Sequence, residues 1–304
     1  MALLAAAAPA APSANSTAQA GEARTDLVLM TGLPIVWGEG GAFDPESRPA
    51  GSYRMLEREF AVRPIDAIEP GALSGARLML LAQPRLLAPE ELVELDRWVR
   101  DGGHILVLTD QHLAWPSELA FDDPRRPPAL PLLGPLLRRW GVRLDEPADG
   151  AAAVDRLGTR RLAFAGADWG EAPPPGRFVV TGSGCRILER PWLARCRVGR
   201  GEALLLADAD LLHDSAWLGE GGRPVADNPL VIAELLDSLA GNSRSRPVPT
   251  RKSVPPATER DLAPQSVLLW VGLGVLALVS GLGFLYARSR RPTNLSTGSS
   301  TENS

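Results

Sequence analysis

Residues 76–110 read ARLMLLAQPRLLAPEELVELDRWVRDGGHILVLTD, and their pattern decides the fold. Arg77–Ala82 is a short unbroken apolar run closed by Gln83-Pro84, as expected of a strand buried on both faces. Pro89 then opens a helix, with Glu90 and Glu91 in the first turn, where carboxylates favour the positive end of the helix dipole. Leu92, Leu95 and Val99 make one apolar face at helical spacing with Trp98 beside it, and Gly102-Gly103 stops the helix. His104–Leu108 is a second apolar run, closing on Asp110. Strand, helix and strand at this spacing form a βαβ unit, which requires parallel strands and a right-handed crossover.

The flanking sequence extends the same plan. On the N-terminal side, Asp26–Thr31 reads as a buried strand ended by Gly32-Leu33-Pro34, followed by the Gly-rich loop Trp37-Gly38-Glu39-Gly40-Gly41. Tyr53–Phe60 reads as a short helix and Val62–Ile68 as a further strand. On the C-terminal side a Pro- and Arg-rich loop spans Gln111–Pro128, and Leu130–Trp140 reads as a helix interrupted by Pro135. From Val154 to Leu206 the pattern changes to short strands and turns. Glu202–Ala207 is another apolar strand, ending at Asp208-Ala209-Asp210. Asn228–Leu239 is a last amphipathic helix, with Asp227 or Asn228 as its cap and Pro229 in its first turn. No internal repeat is visible. The expected fold class is α/β: a mostly parallel, doubly wound sheet with a β-rich second half and one C-terminal transmembrane helix.

That helix is the run Ser266–Tyr286, SVLLWVGLGVLALVSGLGFLY, which carries no charge. As a helix it spans about 31 Å, matching the roughly 30 Å hydrocarbon core of a bilayer. Trp270 and Tyr286 stand near its ends, where amphipathic rings settle among headgroups. A buried core helix fits less well, because the run follows a linker with five prolines and precedes a polar tail. Arg288, Arg290 and Arg291 favour a cytoplasmic C-terminus, although Arg251, Lys252 and Arg260 weaken the bias. At the other end, Ala2–Ala11 is a small apolar run and Ala18-Gln19-Ala20 suits a signal peptidase, but no positive charge precedes Arg24. The leader is therefore read as signal-like or disordered. The resulting organisation is a leader at 1–23, an extracytoplasmic α/β domain at 24–241, a Pro-rich linker at 242–264, a membrane helix at 265–287 and a cytoplasmic tail at 288–304. The domain is expected in the periplasm or outside the cell.

Composition narrows the function. Of 304 residues 45% are hydrophobic and 22% charged, with a formal net charge of −4, so nothing suggests a nucleic-acid partner. The single lysine, Lys252, lies in the linker, so no phosphate loop of the Gly-x-x-x-x-Gly-Lys kind exists and any transport motor is another chain. HExxH, CxxC and a helix-opening Gly-x-Gly-x-x-Gly are also missing, and no cofactor is expected.

The strand ARLMLLAQP, the helix PEELVELDRWVRDGG, the strand HILVLTD and the later LLGPLLRRWGV resemble the extracytoplasmic GldG-type domain of auxiliary ABC-transport proteins. GRGEALLLADADLLHD and DNPLVIAELLDSLAG are similar to the end of that domain, so the resemblance covers roughly Arg24–Gly241. It implies a fold related to class I glutamine amidotransferases, and as partners the bilayer and a permease and ATPase of an ABC-type system. The chain departs from longer members in having one such domain and one clear span.

An amidotransferase needs a cysteine nucleophile on a tight strand-to-helix elbow. Here the corresponding strand ends Thr109-Asp110-Gln111-His112, with no thiol or serine at the turn. No catalytic residue is assigned, and a degenerate fold kept for binding is the expectation. In a doubly wound sheet the loops at the carboxyl ends of the strands form the ligand crevice. Those loops carry the candidate binding residues Glu39, Gln83, Asp110, Trp115 and Asp208, with the glycines at 38–41 able to bring backbone N–H groups to an anion. The plainer reading is that such loops only connect and that each Trp packs on the domain. Asp208, Asp210 and Asp214 suggest a hard-cation site, but the run supplies too few ligands, and turn capping explains them as well.

A hairpin of Phe178–Leu188 with Leu193–Val198, turning at Glu189–Trp192, sets Cys185 and Cys196 directly opposite each other, within disulfide range. An extracytoplasmic location favours the bond over two reduced thiols. In the membrane helix, Gly274, Ala277 and Gly281 share a face at spacings of three and four, which suits close packing on another helix in lipid. Glycine is also simply frequent in membrane spans. The function these readings imply is a membrane-anchored, non-catalytic accessory subunit of a transport complex. The alternative is an extracytoplasmic ligand-binding or sensor domain that uses the strand-end crevice.

Overall fold

The apolar run of the opening stretch becomes a strand at Leu78–Ala82 with all five side chains buried, as a strand covered on both faces must be. A computed structural model describes residues 24–166, 169 and 173–241. In chain order the first half runs β1 (Thr25–Thr31), α1 (Gly51–Glu59), β2 (Phe60–Pro64), β3 (Leu78–Ala82), α2 (Pro89–Arg100), β4 (His104–Leu108) and α3 (Gly134–Trp140). The second half runs β5 (Val142–Asp145), β6 (Val154–Leu157), β7 (Arg160–Ala163), β8 (Arg177–Val180), β9 (Cys185–Ile187), β10 (Leu193–Val198), β11 (Gly201–Leu206), α4 (Asp214–Trp217) and α5 (Asn228–Leu239).

Seven strands form one sheet of order β2-β1-β3-β4-β11-β10-β9. The first five are mutually parallel, β10 runs antiparallel to β11, and β9 runs antiparallel to β10. The α/β class and the mostly parallel sheet are thus as expected. Helices cover both faces. Cys185 on β9 reaches the Trp140 carbonyl of α3, whereas Arg195, the neighbour of Cys196 on β10, reaches Ser238 of α5. Successive residues of a strand point to opposite faces, so α3 and α5 lie on opposite sides. Asp96 joins α2 to α3 by accepting from Arg139 and Trp140, and α1 packs with α5.

The βαβ unit is set as its sequence demands. Ala88 has no side chain to cap α2, so Glu91 reaches back to accept from the Ala88 N–H at 2.8 Å, and also from Ile68 and Arg85. These contacts hold its carboxyl at about 2, the Arg85 hydrogen bond being the largest cause. Gly201 opens β11 because a Cβ there would stand 2.1 Å from the Val99 carbonyl and 2.2 Å from that of Gly103. The sheet meets the end of α2 backbone to backbone.

Some boundaries differ from the sequence reading. Pro135 lies in the first turn of α3, where its missing N–H leaves no bond unmade, so it starts the helix rather than interrupting it. The long strand expected over Phe178–Leu188 is broken. β8 pairs with β5 in a separate two-stranded sheet, and only Cys185–Ile187 joins the main one. The break falls at Thr181 and Gly182, whose N–H groups both donate to the Gly141 carbonyl. The expected opposition survives: Cys185 pairs with Cys196 in register, their Cα atoms are 4.0 Å apart, and the sulfurs are bonded.

The leader, the linker, the run 265–287 with Gly274, Ala277 and Gly281, and the tail lie outside the described residues. Among the described residues no helix is long and apolar enough to cross a membrane.

Candidate functional site at the carboxyl edge of the sheet

The strand order reverses between β1 and β3, which is where an open α/β sheet leaves a crevice at the carboxyl ends of its strands. Here that crevice is closed by the chain itself. Gly32, just past β1, donates to the carbonyls of Ala82 and Gln83 at 3.3 and 3.1 Å, and a Cβ on it would meet the Gln83 carbonyl at 2.6 Å. Gln83 follows β3 with φ of 39°, a left-handed conformation adopted by no other described residue except glycine. Its side chain is buried. Nε2 donates to the Pro128 carbonyl at 2.8 Å and Oε1 accepts from the Asp110 N–H at 2.8 Å. One amide thereby ties the end of β3 to the end of β4 and to the loop that follows it.

Three carboxylates gather beside this amide. Asp110 follows β4, while Asp208 and Asp210 follow its neighbour β11, and all three are buried. Asp110 accepts from the N–H groups of His112 at 2.9 Å and Ala209 at 3.1 Å. Asp208 accepts from Leu211 at 2.8 Å, and Asp210 from Ala114 at 2.7 Å. The second oxygen of Asp210 has no hydrogen-bond partner among the described residues. Burial pushes Asp210 up to about 8, with the Asp110 charge adding to it. Burial, then the charges of Asp110 and Asp210, raises Asp208 well above the usual carboxylate range. Asp110 is raised too, its burial being partly offset by hydrogen bonds from the backbone. At neutral pH the cluster therefore holds protons. No group of three or more His, Cys, Asp or Glu among the described residues is placed to hold a metal ion. Asp214 turns away to accept from Gly51 and Ser52, capping α1.

Of the residues singled out by sequence, the fold brings Gln83, Asp110 and Asp208 together. Trp115 is buried next to them, edge-on to His213 with ring centroids 4.7 Å apart. Glu39 sits on the rim, where it accepts from the Glu118 N–H at 3.0 Å and so joins the Gly-rich loop to the loop after β4. Trp169 escaped the sequence reading: it packs edge-on to His213 at 4.9 Å and donates to Ser215. Asp210, read from the sequence only beside Asp208 and Asp214, belongs with Asp110 because β11 lies beside β4. No spacing rule brings residues so distant in sequence together.

While these polar groups turn inward, the rim exposes several large apolar side chains among charged ones such as Arg48, Arg85, Glu118 and Arg125. Trp37 and Phe43 in the loop after β1, Leu86 after β3, and Phe121 and Leu130 after β4 are all exposed. Arg126 lies over the Phe121 ring at 5.9 Å. A dent of about 110 Å³ at the ends of β1 and β2, lined by Trp37, Gly38 and Gly41, is smaller than ordinary small-molecule pockets. Another of about 200 Å³ lies between α2 and α3, away from the strand ends. Chemically, the edge offers exposed apolar side chains interleaved with charged ones, with the carboxylates of Asp110, Asp208 and Asp210 withdrawn beneath.

No family model and no curated protein matches the chain. Among solved structures it is similar to the mmIFT52 N-terminal domain, at 16% identity and a TM-score of 0.44, over 74% of this chain and all of that one. It is also similar to the exo-β-1,4-mannosidase Op5Man5 from Opitutaceae bacterium strain TAV5, at 17% identity and a TM-score of 0.36, over 62% of this chain and 31% of the enzyme. A β-galactosidase from the haloarchaeon Halorubrum lacusprofundi aligns at 14% identity and a TM-score of 0.40, over 71% of this chain and 30% of the enzyme. The chain thus spans about a third of the length of these glycosidases, and none of the three likenesses carries a functional argument.

Proposed function

We propose that the chain is a membrane-anchored, non-catalytic accessory subunit that presents a GldG-like, amidotransferase-like domain to an ABC-type transport complex outside the cytoplasm. The observation that carries this reading is the inverted chemistry of the strand-end edge. Gln83, Asp110, Asp208 and Asp210, the groups that an enzyme of this architecture would turn to a substrate, bind the protein's own backbone. The outward groups include Trp37, Phe43, Leu86, Phe121 and Leu130, interleaved with exposed charges such as Arg48, Arg85 and Arg125, a mixture that suits a protein surface. The uncharged run 265–287 supplies the anchor, and its face of Gly274, Ala277 and Gly281 supplies close packing against a permease.

The test is co-purification of the tagged full chain in gentle detergent. The expected companions are a permease and an ATPase, retained by the native chain and weakened both by Phe43→Asp with Phe121→Asp and by Ala277→Leu with Gly281→Leu. Recovery of the native chain without a companion, or turnover of glutamine or a nucleotide by the purified protein, overturns the proposal.

A further inference from the structure

α5 begins at the carboxyl edge of the sheet, where Asn228 holds the carbonyls of Ala163 and Leu211, and runs back towards the amino edge. Its last turn touches β10 through Arg195 and Ser238 at 3.1 Å. α5 packs over β3, β4 and β11, so the outer strands β10 and β9 extend beyond it with that face open. The open face is basic. Arg186 stands directly across from Arg195 in the ladder, and Arg197 lies two residues along on the same side. Like charges placed opposite each other on a sheet destabilise it. Glu202 neutralises Arg195 at 2.8 Å, whereas Arg186 and Arg197 are exposed and make no ion pair among the described residues. The nearby carboxylates are otherwise engaged: Asp101 pairs with Arg200, and Glu189 accepts from the Gly158 N–H.

The chain leaves the domain beside this face. Arg244, Arg246, Arg251 and Lys252 follow within the linker, ahead of the uncharged run that begins at Ser266. Even fully extended at about 3.5 Å per residue, residues 242–265 reach only roughly 85 Å, so an anchored domain meets the bilayer at high effective concentration. We infer that the open face of β9 and β10 docks on anionic lipid, with Arg186 and Arg197 meeting headgroup phosphates. The inference rests on the anchored reading above. Basic residues near an anionic surface each contribute about fivefold to binding, and the attraction fades within a Debye length, about 8 Å at physiological salt.

The experiment uses the full chain in lipid nanodiscs, either wholly phosphatidylcholine or with phosphatidylglycerol added, followed by amide hydrogen exchange. The expected result is slower exchange over residues 185–198 in anionic discs, reversed by high salt. Arg186→Gln with Arg197→Gln should weaken docking roughly twenty-fold. Arg186→Gln alone should leave the unfolding midpoint unchanged or raised, since it removes the like charge opposite Arg195, whereas Arg197 stands across from Glu202. Equal exchange in both lipids overturns the inference while leaving the anchor intact. Equal protection by inorganic phosphate in neutral discs also overturns it, since the ligand is then free phosphate. A chain that stays outside the discs overturns the anchored reading, and the inference with it.

Discussion

Replacing Asp210 with Asn tests the buried carboxylate cluster where its electrostatics are most exposed to measurement. Asp210 is held at about 8 in the folded protein against an ordinary 3.8, chiefly because burial denies its charge solvation. The folded state therefore keeps a proton that the unfolded state releases above about pH 4. Stability from this group is full below that pH and is lost as pH rises towards 8. Each unit of difference corresponds to about 1.4 kcal/mol, which sets a ceiling of about 6 kcal/mol for the whole interval. Asn is uncharged throughout and its carbonyl oxygen can still accept from Ala114, so the variant should match the native protein near pH 4 and exceed it increasingly towards pH 8. Urea unfolding followed by tryptophan fluorescence reads this directly. A gain of a few kcal/mol moves the midpoint by about 1 M urea or more. Asp110 and Asp208 are raised in the same direction and keep part of the slope in the variant, so Asp210's share is the difference between the two slopes. Parallel slopes from pH 5 to 8.5, or a variant weaker than native at pH 8, would refute the reasoning.

Two further predictions concern the scaffold. Cys185 and Cys196 should be found bonded in protein from its native compartment by mass mapping without reductant, and changing both to Ser should cost about 2–3 kcal/mol by the chain-entropy account; two freely alkylatable thiols in the folded, unreduced protein would contradict this. Glu91→Gln should destabilise by about 1–2 kcal/mol at pH 7, because it weakens a helix cap and a half-exposed ion pair with Arg85. The native carboxyl is depressed to about 2, so its contribution is present above about pH 4.5 and lost as pH falls towards 2; acid titration of native and variant protein should therefore converge at low pH.

Local chemistry made much of the fold legible. The apolar runs of β3 and β4, the Pro and Glu residues that start α2, and the glycines that end it are signals each element carries within itself. The opposition of the two cysteines was readable because a short hairpin determines its own register. Legibility stopped where partners are distant. Nothing near Phe178 announces that β8 pairs with β5 rather than continuing into β9, since the break depends on a backbone contact between Gly182 and Gly141. The crevice failed for the same reason. Loop positions correctly placed Gln83, Asp110 and Asp208 at one edge, but whether their side chains face a ligand or the chain depends on where Pro128 and Ala114 come to rest. Asp210 joined them through a strand neighbour far along the sequence.

That neighbour has a consequence for how the chain acquires its structure. β4 pairs on one side with β3, a nearby partner, and on the other with β11, in register from His104–Glu202 to Leu108–Leu206. The second pairing closes a loop of about a hundred residues, whereas the first is local. During synthesis at roughly 5–20 residues per second, the apolar outer edge of β4 waits on the order of 5–20 s for its partner to be made. Throughout that interval it is an unpaired parallel edge able to add a strand from another chain. Assembly should therefore proceed from the N-terminal βαβ units outward, with the docking of β11 as the slow, concentration-sensitive step.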